Sequence, residues 1–297
     1  MAYASLIHCP RGGSASEEDV EQARALLSEA LDFEVLRVEG DRSPADLARQ
    51  AVAAGSKVVI ASGGDGSVSS VASVIVGRQD VSLGILPRGT ANSIAAYLGI
   101  PRDVETACAI IRDGHTHTID TARVNDISMV LMATIGLHAE AITDVDPERK
   151  KRYGAFAYVL EEVERMLEPE LFDVTIEANG QSASLSTNAL TIANIARPAT
   201  LLAQGPATIV EDDGLLDVTI VAIRGFAEAV ATTWHLATSM LRQQPAERDN
   251  IGSFRTQRIR IVTAQPKRVM VDGEDATETP VVIECIPRSL RVLVPKE

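Results

Sequence analysis

One pattern occurs twice between Lys57 and Ile100, and it limits the kind of sheet this chain can build. The first copy is Lys57-Val-Val-Ile-Ala-Ser-Gly-Gly-Asp-Gly-Ser67, followed by Val68-Ser-Ser-Val-Ala-Ser-Val-Ile75. The second is Ser82-Leu-Gly-Ile-Leu-Pro-Arg-Gly-Thr90, followed by Ala91-Asn-Ser-Ile-Ala-Ala-Tyr-Leu98. Each copy runs from an apolar stretch through a glycine turn with a hydroxyl residue into a helical pattern. Val68, Val71, Ala72 and Ile75 stand at i, i+3, i+4 and i+7, and Ala91, Ile94, Ala95 and Leu98 repeat those offsets. Both copies therefore predict strand, tight turn, helix. In an open α/β sheet, ligands bind beyond the carboxyl ends of the strands, where helix N-termini offer N–H groups to an anion. Gly63, Gly64, Gly66 and Gly89 allow close approach, and Ser67 and Thr90 add hydroxyl donors. Asp65 is out of place beside phosphates unless it binds magnesium or caps its own helix.

The flanking sequence extends the same architecture. Tyr3 to His8 and Phe33 to Val38 are strand candidates. Ser16 with Asp19 caps one helix, Ser43-Pro44 opens a second that Gly55 closes, and Asp103 opens a third ending near Gly114. The alternation implies a mostly parallel sheet with helices on both faces, over residues 1–122.

Beyond about residue 115 strands follow strands. The candidates are His117 to Val124, Ser128 to Thr134, Leu171 to Glu177, Ser184 to Ile195, Leu215 to Ala222, Arg258 to Val262, Val269 to Val271, Val281 to Ile286 and Leu290 to Val294. Asn125-Asp126 and Asn179-Gly180 are hairpin signals. Helical patterns interrupt at Gly154 to Leu167 and Phe226 to Arg242. Residues 123–297 thus predict an antiparallel, β-rich second domain, whose last residues can return to the first. A substrate is expected in a cleft between the two.

Composition excludes several partners. The chain has 297 residues with a net charge of −13, and aromatic residues make up 3%. Both figures argue against nucleic acid, which needs basic surface and stacking platforms. Cys9, Cys108 and Cys285 are widely spaced, odd in number and form no Cys-x-x-Cys pair. No apolar run approaches the ~18 residues of a spanning helix, and the N-terminus lacks a basic stretch ahead of an apolar one. The expectation is a reduced, cytoplasmic protein that meets a membrane only peripherally, at the inner surface. Gly84 to Gly89 has Walker-like spacing but Thr90 replaces the lysine, and no Gly-x-Ser-x-Gly elbow occurs. His115 and His117 lack a third ligand.

Gly63-Gly-Asp-Gly-Ser67, Leu83-Gly-Ile-Leu-Pro-Arg-Gly-Thr-Ala-Asn92 and Leu98-Gly-Ile-Pro101 together resemble the diacylglycerol kinase catalytic-domain family. Within it the bacterial lipid-kinase branch fits best, with sphingosine kinases related and NAD kinases more distant. Later anchors are Ile119-Asp-Thr-Ala122, Gly136, Lys151-Arg-Tyr-Gly154 with Tyr158, Asp212-Asp-Gly-Leu-Leu-Asp217 and Val271-Asp-Gly-Glu274. The resemblance implies an N-terminal three-layer nucleotide-binding α/β domain of NAD-kinase type and a C-terminal antiparallel β-sandwich. It implies transfer of the γ-phosphoryl group of ATP to a lipid hydroxyl, diacylglycerol-like or related, with Mg²⁺ as cofactor. Carried over by position, Gly63, Gly64, Asp65, Gly66, Ser67, Gly89, Thr90 and Asn92 serve the nucleotide. Asp272 is the general base on the acceptor, and Glu274 holds magnesium or orients the site. Asp213 gives a carboxylate, and Val210 and Leu215 carbonyls, to a structural magnesium ion. Arg88 is placed to reach a phosphate. The cluster Arg149 to Arg152 is a solvated helix start or a membrane contact. The chain departs from the family at Cys9-Pro10, where Asn-Pro is usual, and at Ser67, Ser69, Ser70, Ser93 and Ala96. Alternatives are a kinase of a soluble acceptor, as NAD kinases are, and a relative that binds nucleotide or lipid without turnover. The acceptor lipid and the oligomeric state are left open.

Overall fold

Val58–Gly63 and Ser82–Pro87 are buried along nearly their whole length, as strands covered on both faces must be. In the computed structural model they lie side by side, parallel, at the middle of the first of two units. The structure describes residues 2–10, 16–28, 30–136, 171–196, 209–224 and 248–296, together with Glu228, Ala231, Thr232 and His235.

The first unit comprises Met1–Thr121, Glu211–Asp213 and Ile286–Glu297. Its strands β1 (Ala2–His8), β2 (Leu31–Arg37), β3 (Val58–Gly63) and β4 (Ser82–Pro87) run parallel in the order β2-β1-β3-β4. The last strand of the chain, β16 (Val281–Leu293), joins β4 in parallel at Val292 and Leu83. The helices are α1 (Glu17–Leu27), α2 (Pro44–Ala53), α3 (Asp65–Ile75), α4 (Ser93–Tyr97) and α5 (Val104–Asp113). Local sequence explains their ends. Ser16 with Asp19 and Ser43 with Asp46 form the two reciprocal capping boxes. Asp103 caps α5, and Gly114 closes it at φ +67°. The Ser43 backbone N–H, the Ser43 hydroxyl and a guanidinium from Arg49 hold the Asp46 carboxyl down at about 2.

The second unit comprises Ala122–Val210 and Gly214–Cys285. Strand β5 (Thr116–Val124) enters it from the first unit, and β16 leaves it. Between them come β6 (Ile127–Met129), β7 (Met132–Gly136), β8 (Phe172–Ala178), β9 (Gln181–Thr187), β10 (Ala189–Ala193), β11 (Leu216–Val221), β12 (Ile251–Thr256), β13 (Arg258–Thr263), β14 (Arg268–Val271) and β15 (Glu274–Glu278). One antiparallel sheet has the order β12-β11-β10-β7-β14-β15. Facing it, β13 pairs antiparallel with both β16 and β8, and β8 with β9. Alternate residues of both layers make one core. Ile135, Leu190, Ile192, Val218 and Val269 come from one sheet, and Val174, Ile176, Ile259, Ile261 and Ile283 from the other. That is a β-sandwich core. Asn179 and Gly180 both have positive φ, as a two-residue hairpin of the primed type requires.

Three strand predictions differ from the structure, each for a physical reason. Ser128 to Thr134 divides at Val130-Leu131, because the N–H groups there bond to a side chain instead of a strand. Ser184 to Ile195 divides at Asn188, where the chain passes from the sheet of β8 to the sheet of β7 and β11. Val281 to Ile286 and Leu290 to Val294 are one strand, Val281–Leu293, not two. It passes through Arg288 at φ +49°, whose N–H is taken by Asp120 Oδ1 at 2.6 Å. Strands β12 and β15 were not predicted. The predicted helix 154–167 and the Arg149 to Arg152 cluster lie outside the described residues. Of 226–242, the described Glu228, Ala231, Thr232 and His235 are helical. Among the described residues no helix is long and apolar enough to cross a membrane.

Candidate functional site

The two glycine loops follow β3 and β4 and touch each other. A Cβ on Gly89 would lie 2.4 Å from the Gly64 Cα, and one on Gly64 would lie 3.1 Å from the Gly89 Cα. A Cβ on Gly63 would meet Ser67 Oγ at 2.7 Å and the Cys9 Cβ at 3.2 Å. Gly64 and Gly89 are therefore required first by the packing of one loop on the other. Arg88 N–H donates to Gly63 O at 2.8 Å across the same seam.

The helix that starts from the first loop is open at its N-terminus. Gly64 is the N-cap of α3 and no side chain caps it among the described residues. The first bond of the helix runs from Val68 N–H to Gly64 O, so the N–H groups of Asp65, Gly66 and Ser67 point out of its end. The macrodipole of this eleven-residue helix adds a partial positive charge there.

The second loop is closed. Asn92, buried at φ +51°, accepts from Gly89 N–H at 2.7 Å and donates to Gly89 O at 2.8 Å. Helix α4 has only five residues, and its Ile94 N–H donates to Asp65 Oδ1 at 3.0 Å. Asp65 thus caps the neighbouring helix rather than its own. Thr90 is exposed, and its carbonyl accepts from Arg102 Nη2. Arg88 turns inward. Its Nη1 donates to Arg102 O at 2.6 Å, and its Nε lies 3.2 Å from Asp19 Oδ2 as an ion pair. Cys9, in the place of the family's asparagine, is buried; burial pushes its thiol up, against a smaller pull from Ser67.

Glu211–Asp213 also belong to the first unit. Asp213 is exposed in a turn that ends at Gly214, φ +77°. The backbone of the turn is docked on β5, where Asp120 N–H donates to Glu211 O at 2.7 Å. Val210 is 37% exposed.

In the second unit Asp272 and Gly273 are the two-residue turn between β14 and β15, both at positive φ. The Asp272 carboxylate binds back onto the break between β6 and β7. Oδ2 accepts from Val130 N–H at 2.9 Å, and Oδ1 from Leu131 and Met132 N–H at 2.8 and 3.2 Å. Asn194 Nδ2 donates to Val130 O at 2.8 Å on the other side of that break. Glu274 is exposed at the start of β15. Sequence reasoning missed Asn194 and Glu211 as organisers of these turns. Each acts over more than sixty residues of chain, which no local pattern encodes.

Comparison with known proteins agrees with this anatomy. The family described as the diacylglycerol kinase catalytic domain matches residues 4–124. The one described as the YegS C-terminal NAD kinase beta sandwich-like domain matches residues 132–294. A protein of Xanthomonas campestris named "Probable lipid kinase YegS-like" is 30% identical over 96% of this chain and 94% of its own. An uncharacterised protein of Synechocystis is 38% identical over 82% of this chain, which spans 56% of that protein's length. A diacylglycerol kinase structure from Bacillus anthracis superposes with a TM-score of 0.80 at 23% identity, covering 99% and 97% of the two chains. An NAD kinase of Archaeoglobus fulgidus solved with ATP gives 0.56 at 12% identity, covering 99% and 93%. At those identities the structures establish the fold. The family matches and the Xanthomonas relative go further: the chain belongs to the diacylglycerol kinase catalytic-domain family, among its YegS-like lipid kinases.

Proposed function

We propose that the protein transfers the γ-phosphoryl group of ATP to the hydroxyl of a lipid presented at a membrane surface. The observation that carries the nucleotide half is the open end of α3 lying against the Gly89 loop. Two glycine backbones in contact leave no side chain over the N–H groups of Asp65, Gly66 and Ser67, so phosphate oxygens can approach them. Asn92 serves by holding the Gly89 loop in shape, and Thr90 adds an exposed hydroxyl.

Asp272 acts on the acceptor. Three backbone N–H groups fix its carboxylate, so it meets the incoming hydroxyl in one orientation and takes the proton as the phosphoryl group leaves ATP. In a loose phosphoryl-transfer transition state the alcohol needs positioning more than a strong base. Glu274, exposed two residues on, is a candidate for orienting the same group.

The donor set at Val210, Asp213 and Leu215 suits magnesium: a carboxylate and two carbonyls, all hard oxygens, with the carboxylate exposed. Bound there, the ion would fix the turn that enters β11. Magnesium accompanying ATP would supply charge neutralisation on the phosphates.

Label transfer from γ-labelled ATP, with magnesium, to a panel of micellar lipids and to NAD in parallel tests the proposal. A labelled lipid is the expected product. Labelled NADP alone would move the acceptor to a soluble dinucleotide. Tight ATP binding with no labelled product from any acceptor would make the chain a binding protein.

A further inference from the structure

The turn that carries Asp213 is held by side chains with no part in the proposed chemistry. Glu211, two residues before Asp213, points its carboxylate back into the first unit. Oε2 accepts from Tyr97 O–H at 2.8 Å, and Oε1 lies 3.3 Å from His117 Nε2. Its backbone oxygen takes the Asp120 N–H. Asp120 is itself buried, with Oδ1 accepting from Arg288 N–H. The turn is therefore fixed at one residue from two elements, β5 through Asp120 and His117 and α4 through Tyr97, with Arg288 of β16 holding Asp120 in turn.

Tyr97 also closes a short chain of contacts. It is the last residue of α4, whose N-terminus is capped by Asp65 and entered through the Asn92 clip on Gly89. One five-residue helix thus bears the glycine loop at one end and the tether to the Asp213 turn at the other. A charge-assisted hydrogen bond from a phenol to a carboxylate is among the stronger side-chain contacts. Without it the turn would be less well ordered before the ion binds, which lowers the ion's apparent affinity.

We infer that Tyr97, Glu211 and His117 are positioning residues that preorganise the Val210–Leu215 turn for a divalent cation. The inference rests on the magnesium reading of Val210, Asp213 and Leu215 given above. Glu211 is then a brace rather than a ligand, since both its oxygens face Tyr97 and His117.

The test is a magnesium titration of the nucleotide-free protein, read as the thermal midpoint. A ligand that binds only the folded state raises that midpoint with concentration. Parent, Tyr97→Phe, Asp213→Ala and Tyr3→Phe are compared. Tyr3→Phe removes another tyrosine hydroxyl from the first unit, one that bonds Glu34. The parent midpoint should rise with magnesium, and Asp213→Ala should abolish the rise. Tyr97→Phe should need about fivefold more magnesium for the same fractional effect, an order of magnitude set by the loss of one charged hydrogen bond. Tyr3→Phe should titrate like the parent. A purely structural role for Tyr97 would lower the midpoint without magnesium and leave the titration unmoved. If Asp213→Ala abolishes the rise while Tyr97→Phe titrates like the parent, the positioning role is overturned and the metal turn stands. If the parent shows no rise, or Asp213→Ala keeps it, the metal turn itself fails and the inference falls with it.

Discussion

Gly89→Ala isolates the contact on which the nucleotide reading depends. An added Cβ would sit 2.4 Å from the Gly64 Cα and 2.9 Å from Asn92 Oδ1. Carbon atoms rest about 3.5–4.0 Å apart, so the two backbones must separate by about 1 Å. Neither neighbour can give way cheaply: one is backbone, and the other is the side-chain oxygen that accepts the Gly89 N–H. Overpacking of this kind costs about 1–3 kcal/mol, which for a chain of this size lowers the thermal midpoint by roughly 5 °C. The functional effect should be larger than the stability effect. A displacement of about 1 Å at a reacting group costs on the order of 10²-fold in rate. ATP binding by calorimetry and label transfer to the accepted lipid are the two assays, with Gly77→Ala as the matched control. Gly77 has φ +80° and nothing within 4 Å of its Cβ position, so alanine there strains the backbone without a clash. It lies beyond the far end of α3. Both variants should lose stability; only Gly89→Ala should lose nucleotide affinity and turnover. Parent-like ATP binding in a folded Gly89→Ala protein would refute the link between loop packing and phosphate binding. Gly64→Ala, with its nearest contact at 3.1 Å, should fall between the two.

Three further outcomes are expected. Asp272→Asn should abolish label transfer and also lower the thermal midpoint, because an amide NH₂ would face one of the Val130, Leu131 or Met132 donors, and an unsatisfied donor costs about 1–3 kcal/mol; unchanged stability with lost turnover would mean the three bonds add nothing to the fold. Asp65→Ala should cost about 1 kcal/mol through the lost cap on α4, read by denaturant titration, and a value near zero would remove its capping role. His8 is buried, and burial, the largest cause, lowers its pKa from the ordinary 6.5. The folded state therefore binds fewer protons than the unfolded one below about pH 6.5, so stability is full above that pH and falls as the pH drops through it. His8→Gln should flatten the decline in thermal midpoint between pH 7 and pH 5.

The parts of the fold visible in the sequence are those set by neighbours along the chain. Ser16 with Asp19, Ser43 with Pro44 and Asp46, and Asn179 with Gly180 each complete a motif within four residues, and the structure has each one. The buried strands β3 and β4 announce themselves as continuous apolar runs. Strands β12 and β15 do not. Ile251-Gly-Ser-Phe-Arg-Thr256 and Glu274-Asp-Ala-Thr-Glu278 are the two ends of their sheet, with one neighbour each, and carry no clean alternation. At the candidate site the glycines could be picked out but not their first purpose. That Gly64 faces Gly89, that Asp65 reaches Ile94, and that Asp272 binds residues some 140 positions earlier are facts of tertiary packing.

Those packing facts change the electrostatics of the two loops. The sequence shows two copies of one anion-binding pattern, and two helix N-termini would together attract a polyphosphate strongly. Of these two the structure keeps one open. The end of α4 is filled by the Asp65 carboxylate, so that loop contributes shape and a hydroxyl, while between the two loops the attraction comes from α3. Arg88, the nearest cation in sequence, is committed to Asp19 and the Arg102 carbonyl. A carboxylate thus stays beside the proposed phosphate path in a chain whose net charge is already −13. One helix dipole amounts to about half an elementary charge, too little to offset both that carboxylate and a nucleotide triphosphate. On the proposed reading the nucleotide would bind together with a divalent cation, and ATP affinity should fall steeply when magnesium is chelated; metal-independent binding would refute this.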